Sequence, residues 1–405
     1  MRFRSFLVTL CVSLLLTGLL ANSALAIPAF SRLYKTECST CHVIFPERNE
    51  FGDAFEKNSF VWPGKLPAQS QVKPDMTPEQ KKQAEAMYLS GLPEVLPVAL
   101  MGQIESVYNS DSDPKLDLVA ETELEMFAAG NFRQLAGFWG EYKLSSSSIG
   151  DVSVQFRHVA NTPLNIKVGK FKPKLSLWKS NDRSSLKGFG HNSMVIGSNP
   201  FRISRRQGAV EINSVVTPRL FLAAGVADGT DGGNDDAQDT KEYYGHLSFR
   251  IGGIDFLGKE PEVDLDKDSI WDFLALTFGG FGYSGSDAAG NNDFYRAGLE
   301  SEILYKRFKM RLSGTFGHDD DTDGLGNEAE ARFYLAQAQY LVGSNLIPAF
   351  RFEYQDVDTD GITRRYIPSV TYAVLQNLRL ALEYVHTEAP SATEKEAAFN
   401  IAFSF

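Results

Sequence analysis

An all-β chain, a transmembrane antiparallel barrel of about sixteen strands behind a small, mainly helical N-terminal segment, is predicted by three observations. After the first 26 residues no apolar run is long enough to make a spanning helix. Aromatics make up 12% of the 405 residues, with 29 Phe and 15 Tyr, and they fall in short alternating segments separated by Gly, Asp, Asn and Ser. Charge alternates with apolar residues along single segments: Arg307, Lys309 and Arg311 stand between Phe308, Met310 and Leu312, and Glu121, Glu123 and Glu125 between Thr122, Leu124 and Met126. A dry protein core would not accept such charge rows, whereas a polar lumen would. A β-sandwich is set aside for the same reason, since it would not put charge on the inner face of so many strands.

The elements follow in order. Arg2 and Arg4, the apolar stretch Phe6 to Leu20 and Ala24-Leu25-Ala26 have the form of a secretory signal over residues 1–26, so the mature chain is expected to start at Ile27. Cys11 lies inside that stretch, which leaves Cys38 and Cys41 as the cysteine pair of the mature chain. These stand in Cys38-Ser39-Thr40-Cys41-His42, the spacing that covalent c-type haem attachment requires: two thiols for the haem vinyl groups and an adjacent imidazole for the iron. An exported cysteine pair also suits a disulfide, but His42 at the fixed position favours haem. Zinc would need a second ligand pair at finger spacing. Residues 27–96 are therefore read as a monohaem segment, with Phe30, Leu33, Phe45, Phe51 and Phe55 available around the porphyrin. Thr77-Pro78-Glu79-Gln80 combines an N-cap, a first-turn proline and a capping-box glutamine, which predicts a helix over 78–89. A segment this short has little core of its own, so it is expected to lean on the barrel or plug its mouth.

Residues 97–405 are read as the barrel. Its strands are expected near 98–108, 119–130, 134–146, 151–160, 164–172, 206–215, 217–227, 241–251, 270–283, 293–304, 307–317, 329–341, 346–356, 363–373, 376–387 and 395–405. Connections after the odd strands are mostly longer and acidic and belong outside; those after the even strands are mostly tight and belong in the periplasm, with Gly252 to Ser269 a long exception. The last residues, Phe399 to Phe405, alternate and end on Phe405, resembling the C-terminal strand that bacterial outer-membrane proteins offer to the barrel assembly machinery.

The run Ile27-Pro28-Ala29-Phe30-Ser31-Arg32, the motif at 38–42, then Pro46, Asn49, Phe51-Gly52 and Phe55, all ahead of a sixteen-stranded porin, resembles the fused cytochrome-porins of iron-oxidising bacteria. The resemblance covers the mature chain in architecture and is dense only between Pro28 and Phe55. It implies one covalent haem c in an outer-membrane electron conduit, an iron(II) oxidase of cytochrome type that takes electrons from extracellular Fe(II) and passes them to a periplasmic cytochrome. The alternatives are outward transfer to extracellular Fe(III) or another acceptor, and an anion-selective diffusion porin. For the last, Lys167, Lys170, Lys172 and the long Phe171 to Arg206 loop are candidates, because Gly169 to Pro173 resembles a pattern of phosphate-selective porins. A haem peroxidase has no recognisable distal His-Arg arrangement here.

His42 is the expected proximal ligand. Residues 27–96 hold no second histidine, so Met87 and Met101 are the distal candidates, with Met76 behind them and a five-coordinate or histidine-ligated haem as alternatives; Met101 alternates with Gln103 and Glu105 toward the lumen. His246 falls in another lumen row, with Tyr244 and Ser248. Asp319, Asp321, Asp323 and Glu330 match a calcium-loop spacing without the flanking helices, and offer a cation loop for Fe(II) or Ca²⁺, which His191 and His318 could join. Asp356, Asp358, Asp360 and Gly361 repeat its first half. The net charge of −11 suits cation partners at a lipid-embedded mouth and sets nucleic acid aside.

Overall fold

The computed structural model describes residues 29–62, 77–80, 97–132, 135–229, 241–262, 269–286 and 292–405. The signal sequence, Met76 and Met87 lie outside the described residues. The N-terminal segment comprises helix α1 (Ala29–Tyr34), a 3₁₀ turn at Cys38–Thr40, a two-stranded ribbon β1 (His42–Ile44) and β2 (Glu47–Arg48), and helix α2 (Glu50–Lys57). Thr77 and Gln80 make the expected reciprocal capping bonds, at 2.9 and 3.2 Å.

Sixteen strands then close on themselves: β3 (Val98–Asn109), β4 (Leu116–Phe132), β5 (Ala136–Lys143), β6 (Ser148–Phe156), β7 (Leu164–Phe171), β8 (Gln207–Thr217), β9 (Leu220–Ala227), β10 (Glu242–Ile251), β11 (Leu274–Ser286), β12 (Asp293–Tyr305), β13 (Phe308–Asp319), β14 (Ala329–Tyr340), β15 (Leu346–Val357), β16 (Gly361–Leu375), β17 (Leu378–Glu388) and β18 (Thr393–Ser404). Each pairs antiparallel with its neighbour in sequence, and β18 returns to β3. Closure leaves no edge strand, which is what a sheet in hydrocarbon requires. Among the described residues no helix is long and apolar enough to cross a membrane, so the crossing falls to the strands.

Alternation sorts the side chains. On β10, Tyr243, Leu247, Phe249 and Ile251 are exposed on the outer face, while Glu242, Tyr244, His246, Ser248 and Arg250 are buried on the inner one. On β13, Lys309, Arg311, Ser313 and Thr315 point inward. The outside is thus an apolar wall fit for lipid, and the inside is polar.

Two segments cover that polar interior. The 35 residues between β7 and β8, Lys172 to Arg206, fold inward and bind the opposite wall. Their backbone N–H groups donate to wall carboxylates: Gly190 to Glu353 at 2.9 Å, and Leu186 and Lys187 to Glu383 at 2.8 and 2.6 Å. Arg351 returns a bond to the Lys187 carbonyl at 2.8 Å. The N-terminal segment crosses below this loop. Asn131 on β4 donates to the Tyr34 hydroxyl at 2.8 Å, and Cys38 N–H donates to Gln376 in the β16–β17 turn at 2.9 Å. On the far side Asp53 meets Arg250 of β10 at 3.1 Å, and Glu47 meets Lys309 of β13 at 2.8 Å. Arg48 joins the two segments, with Asp182 of the inward loop at 2.8 Å.

Candidate functional site

The site is built on a tightly cross-braced turn. Cys41 N–H donates to the Cys38 carbonyl at 3.1 Å, closing the 3₁₀ turn, and the two cysteines are not joined in a disulfide. Asn49 locks this turn to α2. Its side-chain oxygen caps the helix by accepting from Gly52 N–H at 2.9 Å, its amide donates to the Ser39 and Thr40 carbonyls at 3.1 Å each, and its own N–H donates to the Cys41 carbonyl at 3.0 Å. Gly52 is needed because a side chain there would occupy the space of the Cys41 carbonyl. Glu50 and Asp53 fill the first turn of α2 and Lys57 the last, as the helix dipole favours.

His42 Nδ1 lies 3.2 Å from the Pro46 carbonyl. A carbonyl only accepts, so Nδ1 is the protonated nitrogen and Nε2 keeps its lone pair, the state of an imidazole that binds a metal. Burial lowers the His42 pKa, which favours that neutral form. Burial likewise raises Cys38 and pushes Cys41 up to about 12.

Cys38, Cys41 and His42 line one cavity of about 230 Å³ that opens to solvent. Its walls come from three parts of the chain: Phe30, Phe45 and Phe55 from the N-terminal segment, Met101, Phe127 and Trp139 from β3 to β5, and Lys179, Asn181 and Asp182 from the inward loop. A largely apolar and aromatic cavity with two thiols and one metal-competent imidazole on its edge fits the donor set and the surroundings of a covalent haem. Leu33 and Phe51 pack behind it with Tyr34 and Trp62. Met101 therefore shares the cavity with the cysteine-histidine motif although 59 positions separate it from His42.

Other sequence candidates land elsewhere. His246 spends both nitrogens on Leu175 O at 3.3 Å and Ser248 Oγ at 2.7 Å, outside this cavity. The acidic loop does not gather: Asp319 is wholly buried on β13 against Arg296 at 2.6 Å, and Asp321 accepts the backbone N–H groups of Gly324 and Leu325. Asp323 accepts from Asn327, and Glu330 pairs with Arg332 at 3.0 Å. Asp358 is taken by the Glu330 N–H at 2.9 Å. His191 is buried in the inward loop among Trp178, Phe189 and Phe333, and His318 pairs with Asp320. Among the described residues no three His, Cys, Asp or Glu side chains converge as a metal ion would need. Lys167 faces the lumen, over the Phe171 ring at 4.0 Å, and strand alternation places Lys170 on the opposite face.

One row is extended rather than broken up by the fold. Across β3 and β4 the pairs are Met101 with Glu125, Gln103 with Glu123, and Glu105 with Glu121. Glu121 is exposed and Glu125 buried, so the row leads from solvent to the wall of the cavity. At about 3.3 Å per residue, the six steps from Glu121 to Phe127 span about 20 Å of strand.

No protein-family model matches the chain, and no curated protein does. Solved structures similar to it include an anion-selective porin from Comamonas acidovorans, at 12% identity and a TM-score of 0.55 over 76% of this chain and 99% of that one. A Salmonella typhi OmpF in complex with daunomycin is similar at 11% identity and a TM-score of 0.53, over 76% of this chain and 97% of that one. At such identity the likeness is one of fold: the chain has the porin-like barrel of outer-membrane proteins.

Proposed function

We propose that the chain is an outer-membrane electron conduit that carries electrons between an extracellular donor, Fe(II) in the first instance, and a periplasmic carrier, through one haem c attached at Cys38 and Cys41. The observation that carries this reading is the shared cavity: the attachment motif, Met101 and the barrel wall meet around one space inside the lumen. His42 would hold the iron through Nε2, with Met101 the distal candidate within reach of the same cavity. The bound group would supply a one-electron couple, tuned by its burial and axial ligands.

The surrounding residues supply what a conduit needs. A redox centre hanging in the periplasm would sit beyond an apolar band about 25 Å tall, too far for tunnelling from an external donor. Drawing the motif into the lumen shortens that distance. The Glu121-Glu123-Glu125 row attracts cations from the mouth toward the cavity, while Lys143, at 3.0 Å from Glu125, moderates the charge at its inner end. A diffusion porin needs an open lumen, and here two segments cross it, which favours the conduit.

The test is to place the haem-loaded full chain in sealed liposomes, outer loops outward, with Fe(II) outside only. Prompt reduction of the haem absorption band is expected. An unreduced haem that still responds to a reductant sealed inside would overturn the inward reading.

A further inference from the structure

We propose that the lumen holds a binding site for one small tetrahedral oxyanion, of the phosphate or sulfate class, at the joint between α2, β7 and the inward loop. The inference is independent of the haem reading.

Five lysines line a single cavity there: Lys57 from α2, Lys167 from β7, and Lys172, Lys174 and Lys179 from the loop. Among the described residues two of them pair with carboxylates, Lys57 with Asp53 and Lys179 with Glu56. The other three rest on neutral groups. Lys172 donates to Ser180 Oγ at 2.8 Å, Lys174 reaches the Leu177 carbonyl at 3.4 Å, and Lys167 stands over the Phe171 ring. Glu56 and Glu211 also line the cavity, two carboxylates against five lysines. Positive charge is therefore in excess in a place where desolvation makes it costly.

A second observation points the same way. Asn192 and Trp178, 4% and 1% exposed, line this cavity, and Asn192 Nδ2 and Trp178 Nε1 are buried N–H donors without an acceptor among the described residues. Both orphans are donors, so what they lack is an acceptor. Buried donors are nearly always satisfied, and each left unmade costs about 1–3 kcal/mol. An oxyanion supplies several acceptor oxygens and the missing negative charge together. The enclosed space, about 70 Å³, suits one such ion or a few waters. Burial, reinforced by the charge of Arg206, pushes Lys172 down to about 8, the direction an anion would reverse. Because the lysines come from both lumen-crossing segments, a bound oxyanion would tie one to the other.

The experiment is titration of the purified full chain with inorganic phosphate against chloride at matched ionic strength, read by calorimetry and by thermal unfolding. One bound phosphate per chain is expected, with affinity at least tenfold weaker in Lys172→Met and in Lys174→Met. Asn192→Asp, which replaces the donor by a negative charge at nearly constant volume, should abolish binding. Lys187→Met, on the same loop but paired with Glu396 outside the cavity, should leave binding unchanged. Absence of phosphate binding in the folded chain would overturn the proposal, as would equal binding by wild type and Asn192→Asp. Phosphate binding by apo chain that disappears on haem loading would assign the cavity to the haem carboxylates and overturn the free-ion site.

Discussion

Replacing Glu47 by alanine removes the acceptor on which the N-terminal segment hangs from the barrel wall. Its carboxylate is fully buried and takes Lys309 at 2.8 Å, Arg311 at 3.3 Å and the Gln339 amide at 2.9 and 3.0 Å. Breaking a buried ion pair from one side costs about 3–5 kcal/mol, because the abandoned charges stay buried. Arg311 keeps Glu302 at 2.8 Å, so the lower end, about 3 kcal/mol, applies. At about 1.4 kcal/mol per decade, the population with the segment out of the lumen should rise by about two decades. The assay is single-channel recording of the full chain in planar bilayers, where wild type should pass little current. Glu47→Ala should open about a hundred times more often. Glu47→Gln, which keeps the volume and an amide oxygen but not the charge, should resemble Ala if the ion pairs hold the segment. Wild-type closure in both variants would refute the claim that this cluster keeps the lumen shut.

Three further outcomes follow from the same contacts. Cys38→Ala and Cys41→Ala together should leave no haem on the chain in a denaturing gel, whereas the wild type should retain haem staining; staining of the double variant would rule out thioether attachment here. Glu121→Gln, Glu123→Gln and Glu125→Gln combined should slow Fe(II)-dependent haem reduction in liposomes and flatten its dependence on salt, since the screened attraction is lost; an unchanged rate and salt slope would remove the acidic row from the donor path. Acid should unlock the lumen. Burial would raise the carboxyls of Asp53, Glu56 and Asp182, but Lys57 with Arg250, Arg48 with Lys179, and Arg48 with Arg311 outweigh it and hold them below the usual carboxylate range. Their contribution is full above the unfolded value of about 4 and fades as pH falls through the lower folded values. Conductance should stay low from pH 7 to about 4 and rise below it; opening already near pH 6 would contradict these three carboxylates as the lock.

The barrel was legible because alternation is a two-residue signal that survives without tertiary context. All sixteen strands overlap the expected segments, most with ends displaced by a few residues, and two of the departures have a local chemical cause. The strand read as starting at residue 270 begins at Leu274, because Ser269 and Asp272 form a capping box over a short helix, α3 (Ile270–Phe273). The strand read over 151–160 ends at Phe156, since His158, Ala160 and Asn161 turn through left-handed conformations. In the N-terminal segment, α1 and α2 span six and eight residues, too short for a periodic signal to stand out. That Cys38, Cys41 and His42 would stand together was readable from spacing alone, and the fold places all three on one cavity. Glu47, Arg48 and Asp182 were not: a charged residue in a polar stretch looks solvated until the fold brings in a partner 134 positions away. For Asn49 and Gly52 the only signal was their place in the resembling run, and their role emerges from the Cys41 carbonyl that both approach.

The segment and the barrel are better regarded as one core than as two domains. Tyr34, Phe51, Phe55 and Trp62 pack on one another, but the outer side of that cluster is finished by the wall: Phe60 lies 5.7 Å from Trp139, which lies 5.4 Å from Phe127. The wall is shaped to receive it, since Gly137 lacks a side chain where the Ser59 carbonyl sits and Asn131 donates to the Phe60 carbonyl at 3.1 Å. A segment of some thirty residues buries too little to hold a motif rigid by itself. Borrowing the wall solves this and fixes where the motif sits: the cavity that the thiols and His42 line is closed only when β3, β4 and β5 are present. Whatever group occupies that cavity is therefore placed inside the membrane wall by the same contacts that fold the segment, so position and stability here have a single physical cause.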